Sequence, residues 1–83
     1  MAIKPRLTVL SREYCHLCED MISALRTLQG RFSFDIQVVD VDNHPEVEAK
    51  WGDKVPVLLD GEIEICHYHL DVAALDARLA RMK

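Results

Sequence analysis

Cys15 and Cys18 form a C-x-x-C pair, a spacing at which two thiols can pass two electrons to a disulfide. One thiolate attacks a substrate sulfur, and the second resolves the mixed disulfide by closing a bridge within the chain. The nucleophile is the thiolate rather than the thiol, so the setting of Cys15 decides whether this chemistry is open to it. Cys15 falls where a strand hands over to a helix. The unpaired N–H groups and the positive dipole end of that helix favour thiolate. Arg12 and a protonated His16 act in the same direction, whereas Glu13, Glu19 and Asp20 oppose them, leaving a modest net gain. Cys18, one turn deeper, is the resolving thiol. Tyr14, His16 and Leu17 beside the thiols, together with Val55 and Pro56, are the candidate substrate contacts.

The elements that must position these residues follow from hydrophobic periodicity. Arg6 to Leu10 alternates as a short strand with Leu7 and Val9 on one side. From Cys15 to Gln29, Leu17, Met21, Leu25 and Leu28 recur at helical spacing, and Gly30 offers a left-handed stop. Phe34, Ile36 and Val38 alternate in a second strand running to Val41, so strand, helix and strand, over about 35 residues from Arg6, read as a βαβ unit with parallel strands (a typical unit is about 30 residues or more). Asp42-Asn43-His44-Pro45 predicts a capped short helix through Trp51, ended by Gly52. Val57-Leu58-Leu59 reads as a buried strand, and Asp60-Gly61 as a hairpin turn into Glu62–Ile65. Val72, Leu75, Leu79 and Met82 form a last helical stripe, capped by Asp71 or His69. Arg78, Arg81 and Lys83 stand at its negative end. The expected order is βαβ–α–ββα in a single domain spanning 1–83.

Composition bounds the function. The chain has 83 residues, a formal charge of −4 and a pI near 5.4. This acidity argues against nucleic-acid binding, which needs a basic face, and against a polybasic membrane anchor. No apolar run approaches the roughly 20 residues that span a bilayer. Met1 to Arg6 does not resemble a signal peptide, so a cytoplasmic, monomeric protein is expected. Three cysteines cannot all pair within one chain, and a reducing compartment would not maintain such bridges.

Other readings of the same residues stay open. Cys15-x-x-Cys18 and Cys66-x-x-His69 together offer four zinc-type ligands, with His16 and His67 as further donors, although their separation far exceeds that of zinc ribbons. Cys66 reads first as a small packing residue, then as a third redox thiol. A non-catalytic binding module would use the Val55–Pro56 edge to hold a peptide. His16 also reads as a solvated first-turn residue, Tyr14 as a packing residue, Trp51 as a core or rim aromatic, and His44 as part of a capping turn. Asp40, Asp42, Glu46 and Glu48 read as a solvated acidic face.

The stretch from Thr8 to Cys18, Thr-Val-Leu-Ser-Arg-Glu-Tyr-Cys-His-Leu-Cys, the Val55-Pro56 pair and the element order resemble the glutaredoxin family of the thioredoxin fold. The likeness covers nearly the whole chain, and its Cys-His-Leu-Cys form is similar to that of small bacterial glutaredoxin-like proteins. It implies a three-layer α/β/α fold with a four-stranded mixed sheet and thiol–disulfide oxidoreductase activity. It also implies Cys15 as nucleophile, Cys18 as resolving thiol and a cis Pro56. Its substrates would be disulfide-containing proteins or small thiols. Glutathione is a candidate co-substrate or reductant, and a thioredoxin-reductase-like protein the alternative. No metal or organic cofactor is needed. The chain departs from the family in placing His16 and Leu17 where Pro and an aromatic residue are usual. It also lacks a Gly-Gly pair between Ile65 and Asp71.

Overall fold

The computed structural model describes residues 4–81. Strand β1 (Arg6–Ser11) leads to helix α1 (His16–Leu28), strand β2 (Asp35–Asp40) and, through a 3-10 turn at Val41–Asn43, to helix α2 (Pro45–Trp51). A second 3-10 turn, Gly52–Lys54, precedes the hairpin of β3 (Val57–Asp60) and β4 (Ile63–His67), and α3 (Val72–Arg81) closes the chain. The sheet order is β2-β1-β3-β4, with β1 parallel to β2 and antiparallel to β3, and β3 antiparallel to β4. This is the four-stranded mixed sheet that the family resemblance implies.

Helices cover both faces, because alternate residues of the central strands belong to different cores. Leu7, Val9, Leu58 and Cys66 join Met21 and Leu25 of α1 and Leu75 and Leu79 of α3. Leu10, Val57 and Leu59 face the other way, onto Val41, Val47 and Trp51. A strand buried on both faces reads as a continuous apolar run, which is why Val57-Leu58-Leu59 carries no alternation. Burying side chains of this size contributes about 1.5–3 kcal/mol each. Among the described residues, no helix is long and apolar enough to cross a membrane.

Several local expectations are corrected. Gly30 does not adopt a left-handed conformation; α1 ends instead in tightened turns in which the Arg31 and Phe32 N–H groups both donate to the Leu28 carbonyl. The second strand stops at Asp40, and Val41 begins the 3-10 turn with its side chain fully buried. Val38, expected to face inward with Ile36, is 46% exposed, because β2 is an edge strand and the core ends at Ile36. The α2 N-cap, His44, makes no side-chain capping bond. Asp40 instead caps the preceding 3-10 turn, accepting from the Asp42 N–H at 2.9 Å. Asp60 pairs with Ile63 as the last residue of β3, so the hairpin loop is Gly61-Glu62, one residue later than the motif suggests. At the start of α3 it is Asp71 that caps, accepting from the Ala74 N–H. Met82 and Lys83 lie outside the described residues, as do Met1 to Ile3.

Candidate redox site

The topology delivers one end of every strand to the same edge of the sheet. The C-terminal ends of parallel β1 and β2 meet the N-terminal end of β3 and the C-terminal end of β4 there. Register places Ser11 opposite Asp40, Leu10 opposite Val57 and Val57 opposite His67. The chain therefore enters the Cys15 turn from β1 at the same edge where Val55-Pro56 enters β3.

Cys15 is the N-cap of α1, with extended backbone (φ −109°, ψ 104°). Its Sγ accepts a hydrogen bond from the Cys18 N–H at 3.1 Å, so a helix-terminal donor is spent on sulfur. The two cysteines are joined as a disulfide with Cα atoms 5.2 Å apart. Their exposure is unequal. Cys15 is half-buried, whereas Cys18 is only 1% exposed. In this arrangement the outer sulfur is reached from solvent and the inner one is held behind it.

The other predicted site residues divide into three groups. Tyr14 and Leu17 present apolar surface beside the disulfide, Tyr14 being 92% exposed with a left-handed backbone (φ 58°). His16 is almost fully solvated, its Nδ1 3.9 Å from the Glu19 carboxylate. Val55 is half-buried against the α2-side core, and the Val55–Pro56 bond is cis. The Pro56 ring itself is fully buried, so the proline side chain does not form part of the surface beside the disulfide.

Cys66 stands apart, buried on β4 in the core formed with α1 and α3. Burial pushes its thiol up from the ordinary value of 9.0, and the charges of Asp71 and Glu64 add to this against a hydrogen bond from the Asp71 backbone. No group of three or more His, Cys, Asp or Glu side chains among the described residues is placed to hold a metal ion.

Two features of this edge were not found from sequence. Tyr68, also left-handed (φ 64°), donates its N–H to the Pro56 carbonyl at 2.8 Å and its hydroxyl to the Asp53 carbonyl at 2.9 Å. It thereby ties β4 to both sides of the Val55 segment. Arg12 lies 3.2 Å from Asp42 and 3.1 Å from Glu48, so these two acids are not a merely solvated face. The signal for that pairing was the parallel βαβ register, which brings the end of β1 beside the turn after β2.

Comparison with known proteins places this geometry. The Glutaredoxin-like domain (DUF836) matches residues 6–80. The chain belongs to this glutaredoxin-like family. An uncharacterized protein of Mycobacterium tuberculosis is 33% identical over 94% of this chain and 86% of its own length. Among solved structures, the glutaredoxin-like chain is similar to protein Ne2328 of Nitrosomonas europaea, with 38% identity, a TM-score of 0.82 and coverage of 94% and 95% of the two chains. A protein from X. campestris matches at 32% identity and a TM-score of 0.68, over 90% of this chain and 96% of that one. Thioredoxin 1 of Thermosipho africanus, at 23% identity and a TM-score of 0.62 over 93% and 97% of the two chains, shares the fold. This glutaredoxin-like domain thus has the α/β thioredoxin-like architecture that its sequence resembles.

Proposed function

We propose that the protein is a dithiol–disulfide oxidoreductase working through Cys15 and Cys18. The observation that carries this reading is the bridged pair at the N-terminus of α1, with the outer sulfur hydrogen-bonded to a helix N–H and the inner one buried. In the reduced protein the same N–H favours the Cys15 thiolate. That thiolate attacks one sulfur of a substrate disulfide, forming a Cys15–substrate bond, and the other substrate sulfur leaves as a thiolate with the bonding electron pair. Deprotonated Cys18 then attacks Cys15 Sγ, closes the Cys15–Cys18 bridge and expels the remaining substrate thiolate. The protein loses two electrons and the substrate gains them.

An extended substrate backbone would lie along the Val55 peptide, flanked by Tyr14 and Leu17. Regeneration requires a dithiol or thiol donor of the glutathione or thioredoxin-reductase-like class, and the setting is a reducing compartment such as the cytoplasm. The protein acts as a monomer, with no metal or organic cofactor in the reaction. The test is a pair of variants assayed on a protein disulfide. Cys15→Ser abolishes reduction, and Cys18→Ser accumulates a mixed disulfide visible as added mass. Full activity in Cys15→Ser would sink the mechanism.

A further inference from the structure

Arg12 is the one cation in the segment that leads β1 into Cys15, and it is already occupied. Its Nε meets Asp42 of the 3-10 turn, and its Nη2 meets Glu48 of α2. Gly52 keeps this space open. A Cβ there would stand 2.7 Å from Glu48 Oε1 and 3.2 Å from Arg12 Nη2, although the glycine has an ordinary helical φ of −53°. With its guanidinium met by two carboxylates, Arg12 presents little net positive charge to a ligand.

The surroundings of the disulfide lean the same way. Glu13, Glu19 and Asp20 are all exposed within five residues of Cys15, and His16 faces Glu19. Lys54, two residues before cis-Pro56, stands over the Trp51 ring at 5.7 Å from its centroid. A charged substrate whose sulfur reaches Cys15 comes within a Debye length, about 8–10 Å at moderate salt, of these carboxylates. The resulting field raises the local concentration of cations and depletes anions.

We infer that the Cys15–Cys18 pair selects cationic over anionic disulfides, and that Asp42 and Glu48 enforce this by holding Arg12 out of use as an anion receptor. This rests on the exchange reading above. It is tested with three small disulfides that undergo the same step and differ in charge. Cystamine is cationic, bis(2-hydroxyethyl) disulfide neutral and glutathione disulfide anionic. In each case the Cys15 thiolate takes one half and the other half leaves as its thiolate, after which Cys18 releases the first.

Rates of oxidation of the reduced protein are divided by those of 2-mercaptoethanol with the same disulfide, which removes differences in intrinsic reactivity. The expected order is cystamine, then the neutral compound, then glutathione disulfide. The extremes should differ by about tenfold in dilute buffer and converge in high salt. The Asp42→Asn, Glu48→Gln double variant frees Arg12 and should raise the glutathione disulfide rate relative to cystamine. Arg12→Gln should not. Should the double variant fail to fold, Glu13→Gln, at an exposed position, should narrow the ratio about twofold. Equal normalised rates, or a faster reaction with glutathione disulfide in the native protein, overturn the selectivity while leaving the exchange reading intact. Reaction with none of the three removes both.

Discussion

At the hairpin end of the sheet, Gly61 takes a left-handed backbone (φ 62°), with open space where a Cβ would stand. Nearby, Arg78 of α3 grips Asp60 at 2.6 Å. At the disulfide end the same backbone conformation falls twice, on Tyr14 and Tyr68. For a residue with a Cβ this costs about 1–3 kcal/mol. A hairpin tip needs only the bend, and glycine supplies it without strain. The disulfide end keeps side chains where glycine would be easier. Tyr68 uses its hydroxyl to hold the Asp53 carbonyl, and Tyr14 stands almost fully exposed next to Cys15. The left-handed conformation is thus kept on side-chain-bearing residues at the disulfide end and on glycine at the hairpin end.

The contrast can be broken most sharply at the cysteines. Cys15→Ser should lower disulfide reduction by about a thousandfold or more, since it removes the nucleophile. Cys66→Ala, in the core below, should leave the rate within about twofold. A comparable loss in both variants would erase the distinction between site and core. Next come the left-handed positions, compared by urea denaturation of the oxidised protein. Gly61→Ala should destabilise by about 1–2 kcal/mol, whereas Tyr14→Gly should stabilise by about 1 kcal/mol while slowing reduction of protein disulfides. A Tyr14→Gly variant that loses stability would show that the tyrosine packs rather than waits for a partner.

A pH series sharpens the position of Cys66. The folded state holds the proton on this buried thiol more tightly than the unfolded chain does. Its contribution to stability is therefore complete below the ordinary value of 9.0 and lost as pH rises past it. The native protein should weaken above that pH more steeply than Cys66→Ala, and parallel curves would count against the shift. The smallest expected effect is that of Tyr68→Phe, about 0.5 kcal/mol from one partly exposed hydrogen bond. Its value lies in the assay. Reduction of a protein disulfide should suffer more than reduction of a small one if Tyr68 steadies the Val55 segment.

Much of this was legible in the chain itself. The alternation at Leu7 and Val9, the helical spacing of Met21, Leu25, Leu75 and Leu79, and the apolar run Val57–Leu59 specify strands and helices because burial rewards those periods. C-x-x-C at a strand-to-helix junction located the disulfide for the same local reason. The misses were non-local. Val38 matches Ile36 in pattern, but its exposure depends on where the covering core ends. Gly30 sits where a left-handed stop is common, yet the Leu28 carbonyl was satisfied by a tightened turn instead. Asp42 and Glu48 look like any surface acids until the end of β1 is laid beside the turn after β2.

What the sequence determined alone is the order of elements and the placement of Cys15 and Cys18, both set by short-range pattern and capping chemistry. The tertiary structure decided where the core ends on β2, which cation is already paired with carboxylates and which tyrosine braces the Val55 segment. Those properties arise where residues distant in sequence meet at one edge of the sheet. Local propensity carries no information about such meetings, because they are fixed by strand register and by which face each helix covers.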